Sequence, residues 1–176
     1  LEEKAGILEM ATGTGKTKTA FKIIDKLFDE KKINKIIIQM RGSELIDQWE
    51  NELGLWKSNR EENIRVLKHN KKKKDLEKFI VNFKIDKIDV IFISQKFLGV
   101  LLNKLKDENL QKTIIIHDEI HNLPTDNMIS QIKGLQKNIQ YKLGLSATVK
   151  DSYDSYRDDQ LFEEVGEIIF TFKIND

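Results

Sequence analysis

Two runs of three isoleucines constrain the fold of this chain more than any other feature. Residues 36–38 and 114–116 have no polar residue alternating with the isoleucines. A strand that is apolar on both faces has to be covered on both faces, which happens in parallel sheets with helices on each side. Seven short apolar runs are predicted as strands: Ala5–Met10, Lys35–Met40, Ile64–Leu67, Ile88–Ile93, Thr113–Ile116, Tyr141–Leu145 and Glu167–Phe172.

The stretches between these runs have a helical period. Between the first two strands, apolar residues recur at intervals of three and four residues, at Ala20, Ile23, Ile24, Leu27 and Phe28. Alternating strands and amphipathic helices predict an α/β fold: an open, mostly parallel β-sheet of about seven strands with helices on both faces. Such sheets bind ligands beyond the carboxyl ends of their strands. A length of 176 residues without an internal repeat predicts one domain.

Composition excludes several classes of site and partner. The chain has no cysteine, so a disulfide framework, a thiolate zinc site and a cysteine nucleophile are excluded. Its 30 basic and 29 acidic residues leave a net charge of +1, so a nucleic-acid surface needs an uneven distribution of charge. No apolar run approaches the roughly 18–20 residues of a membrane span, and no secretory signal opens the chain. We therefore expect a cytoplasmic chain without a membrane partner.

The first predicted strand runs into a glycine-rich loop, Ala-Thr-Gly-Thr-Gly-Lys-Thr, at residues 11–17. Backbone N–H groups of such a loop form a nest for phosphate oxygens, and the N-terminus of the following helix favours negative charge. We expect Lys16 to reach the β- and γ-phosphates of ATP and Thr17 to ligate Mg²⁺. Met10 stands where the strict phosphate-loop pattern has glycine, and the alternative is a turn that binds nothing. The predicted nucleotide-binding residues are Thr12, Gly13, Thr14, Gly15, Lys16, Thr17 and Lys18.

Two adjacent carboxylates follow another predicted strand. The isoleucines of residues 114–116 lead into His117, Asp118 and Glu119. Carboxylates at the end of a buried strand are costly unless they meet a cation or stay solvated. We expect Asp118 to hold Mg²⁺ and Glu119 to orient or deprotonate the water that attacks the γ-phosphate. The predicted catalytic residues are therefore Lys16, Asp118 and Glu119. The alternative is a solvated strand end with two surface acids, and we assign His117 no role.

Together, these motifs resemble the first RecA-like motor domain of a superfamily-two helicase or translocase, a P-loop NTPase. Residues 118–121, Asp-Glu-Ile-His, resemble the Asp-Glu-x-His box of that superfamily, and residues 145–148, Leu-Ser-Ala-Thr, resemble its Ser/Thr-Ala-Thr motif. The resemblance implies that His121, Ser146 and Thr148 couple the hydrolysis site to nucleic acid and to domain closure.

A further segment, Glu-Leu-Ile-Asp-Gln-Trp at residues 44–49, resembles the branch related to type I and type III restriction-enzyme motors. In that branch the segment lies along the nucleic-acid backbone, although here Arg41 and Gly42 replace the usual Pro and Thr. An equally good interpretation is that Leu45, Ile46 and Trp49 are core residues. The nucleic-acid contacts that the resemblance implies are Arg41, Gln48, Ser94 and Gln95.

The resemblance also implies a domain organisation and a set of partners. Residues 1–176 are expected to be a single RecA-like ATP-binding domain from a longer protein, with an acidic loop or short irregular helix at 150–164 and an exit strand at 167–176. The implied cofactors are ATP and Mg²⁺, and the implied partners are nucleic acid, with DNA favoured over RNA, and a second RecA-like domain. Because that domain supplies arginine fingers in the family, the fragment alone is expected to be nearly inactive.

Three alternatives to a motor each fit these residues less well. A non-hydrolysing module that binds nucleic acid in a nucleotide-dependent way would not need all of Lys16, Thr17, Asp118 and Glu119. A guanine-nucleotide switch would need an Asn-Lys-x-Asp signature, which the chain does not contain. A small-molecule kinase would not need the Ser-Ala-Thr strand end.

Four lysines at residues 71–74 are interpreted as a solvated helix start or as phosphate contacts.

Overall fold

A computed structural model of the chain describes residues 4–41, 44–69, 76–77, 80, 87–105, 107–122, 132–148 and 155–173. The strands are β1 Ala5–Met10, β2 Lys35–Met40, β3 Ile64–His69, β4 Ile88–Ser94, β5 Thr113–Asp118, β6 Tyr141–Ser146 and β7 Ile168–Phe172. The helices with defined bounds are α1 Lys16–Asp29, α2 Glu44–Ser58, α3 Gln95–Leu102, α4 Asp107–Leu110 and α5 Ser155–Val165, with a 3-10 turn at Ile120–Asn122. Each strand predicted from an apolar run is confirmed, and its ends differ from the prediction by two residues at most.

The strands form one open sheet in the order β3-β4-β2-β5-β6-β1-β7, and every pair in it is parallel. The predicted parallel α/β architecture is therefore confirmed. The register aligns the carboxyl ends: Asp118 on β5 is opposite Leu145 on β6, and Ser146 on β6 is opposite Glu9 on β1. The glycine-rich loop, the acidic strand end and the Ser-Ala-Thr strand end consequently share one edge of the sheet.

The triple-isoleucine strands are buried on both faces. Ile36 and Ile38 belong to the core that α1 and α2 cover, whereas Ile37 belongs to the core that α3 and α5 cover. Residues 114–116 divide between the two cores in the same way. Because side chains of a strand alternate between faces, a run without polar residues can only be satisfied by two helical layers.

A buried ion cluster lies at the amino ends of the strands, away from this edge. The Lys35 ammonium donates to Asp89 Oδ2 at 2.8 Å, and Arg65 Nε donates to Asp89 Oδ1 at 2.6 Å. Lys35 and Asp89 are fully buried. These contacts tie β2, β3 and β4 together at one end of the sheet and leave the carboxyl edge for ligand chemistry.

The acidic segment at 150–164 was predicted to be a loop or a short irregular helix, and its described part is helical. Its described part forms the regular helix α5, whose Leu161 and Val165 pack in the second core. These two residues are four apart and share one helix face, so their burial stabilises the helix. The acidic residues around them make the apolar period hard to recognise in the sequence. The exit segment begins as β7, which pairs with β1, while the lysine run at 71–74 lies outside the described residues. Every helix in the described part is too short or too polar to cross a bilayer.

Candidate active site

The loop after β1 has the backbone shape of an anion-binding nest. Gly13 and Gly15 have φ angles of 80° and 90°, in the left-handed region that glycine tolerates. Thr14, which lies between them, has no positive φ. Both the Thr14 N–H and its hydroxyl donate to the Ala11 carbonyl, at 3.3 and 2.6 Å. A Cβ built on either glycine meets nothing within 4 Å, so the loop borders open space. The predicted residues 12–18 thus comprise this loop and the first turn of α1, whose N-terminus favours negative charge.

The Lys16 side chain reaches from the loop to the acidic strand end. Its Nζ lies 3.4 Å from the Met10 carbonyl oxygen and 3.8 Å from Glu119 Oε1. The side chain is only 11% exposed, so its charge is largely withdrawn from solvent. A cation and a carboxylate from distant parts of the sequence, Lys16 and Glu119, therefore lie next to each other at the carboxyl edge of the sheet.

Asp118 is a buried carboxylate held on both oxygens. Oδ2 accepts the Trp49 indole N–H at 2.8 Å, and Oδ1 accepts the Glu119 backbone N–H at 3.0 Å. Burial raises the pKa of Asp118, as does the Glu119 charge, whereas the two hydrogen bonds and the Lys16 charge lower it. Because a carboxylate offers about four lone-pair positions, about two remain for a cation.

Thr17 provides the second candidate ligand for Mg²⁺. Its side chain is buried, and its Oγ1 accepts a hydrogen bond from Gln48 Nε2 at 3.1 Å. Across the described residues, no group of three or more histidine or acidic side chains could hold a metal ion by itself. One hydroxyl and one carboxylate suit Mg²⁺, which keeps several waters and takes its remaining ligands from substrate phosphates. The residues present therefore fit a Mg²⁺–nucleotide complex.

Glu119 has a strained backbone and connects to the third predicted motif. Its φ of 52° is rarely adopted by a residue with a side chain. His121 Nδ1 lies 3.3 Å from Glu119 Oε2 and 2.7 Å from Ser146 Oγ. The Ser146 hydroxyl donates to the Thr148 carbonyl at 2.6 Å and accepts the Thr148 N–H at 3.2 Å. Since that hydroxyl has only one proton, His121 Nδ1 must be the donor to Ser146. The predicted coupling residues therefore form one connected chain of hydrogen bonds.

The predicted nucleic-acid contacts occupy two positions. Ser94 ends β4 as the register partner of Met40 on β2, so Arg41 and Gln95 follow neighbouring strand ends. Arg41 is exposed, and Ser94 and Gln95 are half-buried. The Gln48 amide, by contrast, is directed at Thr17 in the nucleotide site.

Sequence reasoning missed a buried polar group beneath the site. His117 is fully buried, with Nδ1 2.9 Å from Gln39 Oε1 and Nε2 2.8 Å from Gln136 Oε1. Burial lowers the pKa of His117 to about 4, so the ring is neutral and can donate from only one nitrogen. Gln136 Nε2 is buried without a partner, and rotating that amide supplies the donor that the second ring nitrogen requires. The one sequence signal was a histidine within an otherwise aliphatic strand.

The indole of Trp49 was also missed as a site group. The apolar period of α2 predicts its burial, and the side chain is indeed fully buried. Nothing in that period indicates that its N–H reaches Asp118. The available sequence signal for this contact was a tryptophan next to a glutamine within residues 44–49, the segment that resembles restriction-enzyme motors.

Known proteins give a consistent comparison. Residues 1–151 match the family described as type III restriction enzyme, res subunit. No protein with a curated description matches the chain. Among solved structures, the chain is similar to the UvsW helicase from bacteriophage T4, with 20% identity and a TM-score of 0.66 over 95% of this chain and 54% of that one.

Two further structures have the same fold. The helicase domain of Hef from Pyrococcus furiosus matches with 15% identity and a TM-score of 0.68, over 97% of this chain and 35% of that one. A nuclease-deletion mutant of the type ISP restriction-modification enzyme LlaGI, in complex with a DNA substrate mimic, matches with 21% identity and a TM-score of 0.66. That match covers 98% of this chain and 18% of LlaGI, so the chain spans about half or less of each of these proteins. The chain belongs to the type III restriction enzyme res subunit family, and its fold is that of the first RecA-like domain of a superfamily-two helicase.

Proposed function

We propose that the chain is the ATP-binding motor domain of a helicase or translocase that couples ATP hydrolysis to movement along nucleic acid. The observation that carries the proposal is the meeting of Lys16 and Glu119 over an open phosphate-type loop, with Thr17 and Asp118 beside them. A glycine-rich turn without a ligand would not require a buried carboxylate and a withdrawn lysine at the same edge. Membership of a restriction-enzyme motor family supports the same proposal.

In this proposal the loop binds the phosphates of ATP. Backbone N–H groups of residues 12–18, apart from that of Thr14, which donates to the Ala11 carbonyl, would bind the phosphates together with the N-terminus of α1, and Lys16 would neutralise the β- and γ-phosphates. Thr17 and Asp118 would hold Mg²⁺. When bound, that ion stabilises the negative charge that develops on the phosphate oxygens.

Glu119 is the proposed general base. Its carboxylate accepts a proton from water as the water oxygen attacks the γ-phosphorus, and the bond to the bridging oxygen breaks to leave ADP and phosphate. Glu119 has a left-handed backbone, and its Oε1 lies 3.8 Å from Lys16 Nζ. His121, Ser146 and Thr148 would pass a change at Glu119 to the end of β6.

DNA is the proposed track, with Arg41, Ser94 and Gln95 as candidate contacts, whereas the Gln48 amide bonds Thr17 in the nucleotide site. The family of this chain is described as a restriction-enzyme subunit, and the structure of the restriction-modification enzyme LlaGI was determined in complex with a DNA substrate mimic. Residues 1–176 would form the first motor domain, β7 would lead toward a second RecA-like domain, and arginine fingers from that second domain would complete the site. The isolated chain would then bind ATP weakly and hydrolyse it slowly.

Turnover by the full-length protein tests this proposal when wild type is compared with Glu119→Gln. We expect Glu119→Gln to retain ATP binding within about threefold and to lose about 100-fold or more in turnover, because general-base catalysis supplies about 10²–10⁴-fold. Glu62→Gln, at an exposed position outside the site, serves as the matched control and should turn over normally. Turnover by Glu119→Gln at the wild-type rate would remove Glu119 from its role. ATP binding without turnover by wild type would favour the non-hydrolysing module.

A further inference from the structure

We propose that α2 positions both predicted Mg²⁺ ligands, Trp49 by holding Asp118 and Gln48 by holding Thr17. This inference rests on the proposed function and adds two positioning residues to it. The two side chains are neighbours in sequence, yet they contact ligands that come from different segments of the chain.

Trp49 fixes the orientation of the Asp118 carboxylate. Its indole N–H, which can only donate, lies 2.8 Å from Oδ2, while the Glu119 N–H holds Oδ1 at 3.0 Å. The indole itself cannot turn freely, because it is fully buried and packs on Phe21 with ring centroids 5.6 Å apart. The carboxylate plane is therefore held from both sides before any metal arrives.

Gln48 fixes the hydroxyl of Thr17. The Gln48 amide donates to Oγ1 at 3.1 Å and so occupies one of the two lone pairs of that oxygen. The remaining lone pair is left for the cation, and the hydroxyl proton has to point elsewhere. A hydroxyl that is already oriented in this way loses less freedom when it becomes a metal ligand.

Helix α2 is a suitable support for this pair because the core holds it. Trp49, Leu53 and Trp56 lie in the same hydrophobic cluster as α1 and the central strands. The orientation of both predicted ligand side chains consequently depends on where α2 sits. Groups that orient metal ligands typically change metal affinity by 10–100-fold when they are removed.

Trp56 offers a matched control for Trp49. It also lies on α2, is also buried, packs on Phe21 with ring centroids 6.2 Å apart, and donates its indole N–H to Asp25 Oδ1 at 2.8 Å. The difference lies in the acceptor: Asp25 is eight residues beyond Thr17 on α1, which places it about 12 Å along the helix from the predicted metal ligand. Replacing either tryptophan by phenylalanine removes one indole–carboxylate hydrogen bond and a similar packing volume.

The test measures how nucleotide binding depends on Mg²⁺. A non-hydrolysable ATP analogue is titrated by calorimetry into the full-length protein and its variants, at a series of Mg²⁺ concentrations and in EDTA. Trp49→Phe should raise the half-saturating Mg²⁺ concentration about 10-fold, and Gln48→Met should raise it severalfold. Trp56→Phe, and Asn51→Met at another exposed position of α2, should each change it less than twofold. Affinity in EDTA should stay within twofold for all variants, and thermal unfolding reports their stability separately.

The possible outcomes separate this inference from the proposed function. If wild type binds the analogue but Trp49→Phe and Gln48→Met leave its Mg²⁺ dependence unchanged, the positioning role is wrong and the proposed function survives. Equal shifts in Trp49→Phe and Trp56→Phe, or a parallel loss of affinity in EDTA, would assign Trp49 a purely structural role and overturn the inference. If wild type binds no nucleotide, both fail. Should Trp49→Phe not fold, Gln48→Met against Asn51→Met decides, since both positions are exposed.

Discussion

Replacing Lys16 by alanine should separate nucleotide binding from stability. The Lys16 Nζ–Glu119 Oε1 distance of 3.8 Å corresponds to about 4 kcal/mol of attraction at an effective dielectric constant of about 20. Glu119 is 27% exposed, and solvent screening together with lost side-chain entropy reduces such a pair to about 0–1 kcal/mol of net stability. We therefore expect Lys16→Ala to change the free energy of unfolding by no more than about 1 kcal/mol.

The effect on nucleotide binding should be much larger. Hydrogen bonds from a charged donor contribute about 1.5–3 kcal/mol each, and Lys16 is expected to bond two phosphates. Losing both corresponds to about 3–6 kcal/mol, which is more than 100-fold in affinity. Calorimetry with an ATP analogue measures the affinity, and urea unfolding measures the stability.

Lys22→Ala is the matched control, because Lys22 is an exposed lysine on the same helix outside the loop. The affinity of Lys22→Ala for the ATP analogue should stay within about twofold of wild type, because losing one distant charge changes the electrostatic potential at the loop only slightly. If Lys16→Ala binds the analogue as tightly as wild type, the phosphate-loop assignment is wrong. If Lys16→Ala loses much more than about 1 kcal/mol of unfolding free energy, the separation of binding from stability is wrong.

Three further predictions concern the loop, the buried histidine and the nucleic-acid surface. Gly15→Ala should lower the free energy of unfolding by about 1–2 kcal/mol, because the backbone of Gly15 is left-handed. Gly54→Ala in α2 has the same open surroundings and no positive φ, so it should not destabilise the protein, and equal unfolding curves for the two variants would contradict this. The pKa of His117 is lowered to about 4, so the unfolded chain binds the extra proton between that value and 6.5 and stability falls on acidification through this window. Between pH 7 and pH 5 that loss is about 2 kcal/mol, and it should disappear from urea unfolding of His117→Asn; an unchanged difference would exclude His117 as its source. DNA binding should weaken steeply with salt irrespective of base sequence, with the slope of log affinity against log salt reduced by about 1 in Arg41→Ala, and a flat response would count against contact with the phosphate backbone.

The secondary structure could largely be predicted from the sequence, because the signals that determine it are local. The isoleucine runs required burial on both faces, and the two cores fulfil that requirement at residues 36–38 and 114–116. Helix α5 was harder to predict, because Leu161 and Val165 are two apolar residues within a strongly acidic stretch. Their burial depends on a core that distant segments build.

The contacts within the candidate site could be predicted only in part. The types of residue in the loop and the acidic strand end indicated the chemistry, and the register brings Asp118 and Ser146 to one edge. The links between Trp49 and Asp118 and between Gln48 and Thr17 could not be predicted, because they depend on which side of α2 faces the site after the helix packs. His117 was similarly hidden, since both amides that bond it come from other segments. The roles of all these residues remain predictions.

Steady-state ATP hydrolysis by the full-length protein tests the central claim most directly. The rate is measured without polymer and with single-stranded DNA, double-stranded DNA and RNA, at low and moderate salt. A DNA-tracking motor should hydrolyse ATP slowly alone and be strongly stimulated by DNA, more than by RNA. The contradicting result is intact nucleotide binding with no stimulation of turnover by any of the three polymers. That result would favour a module that binds nucleic acid without hydrolysing ATP.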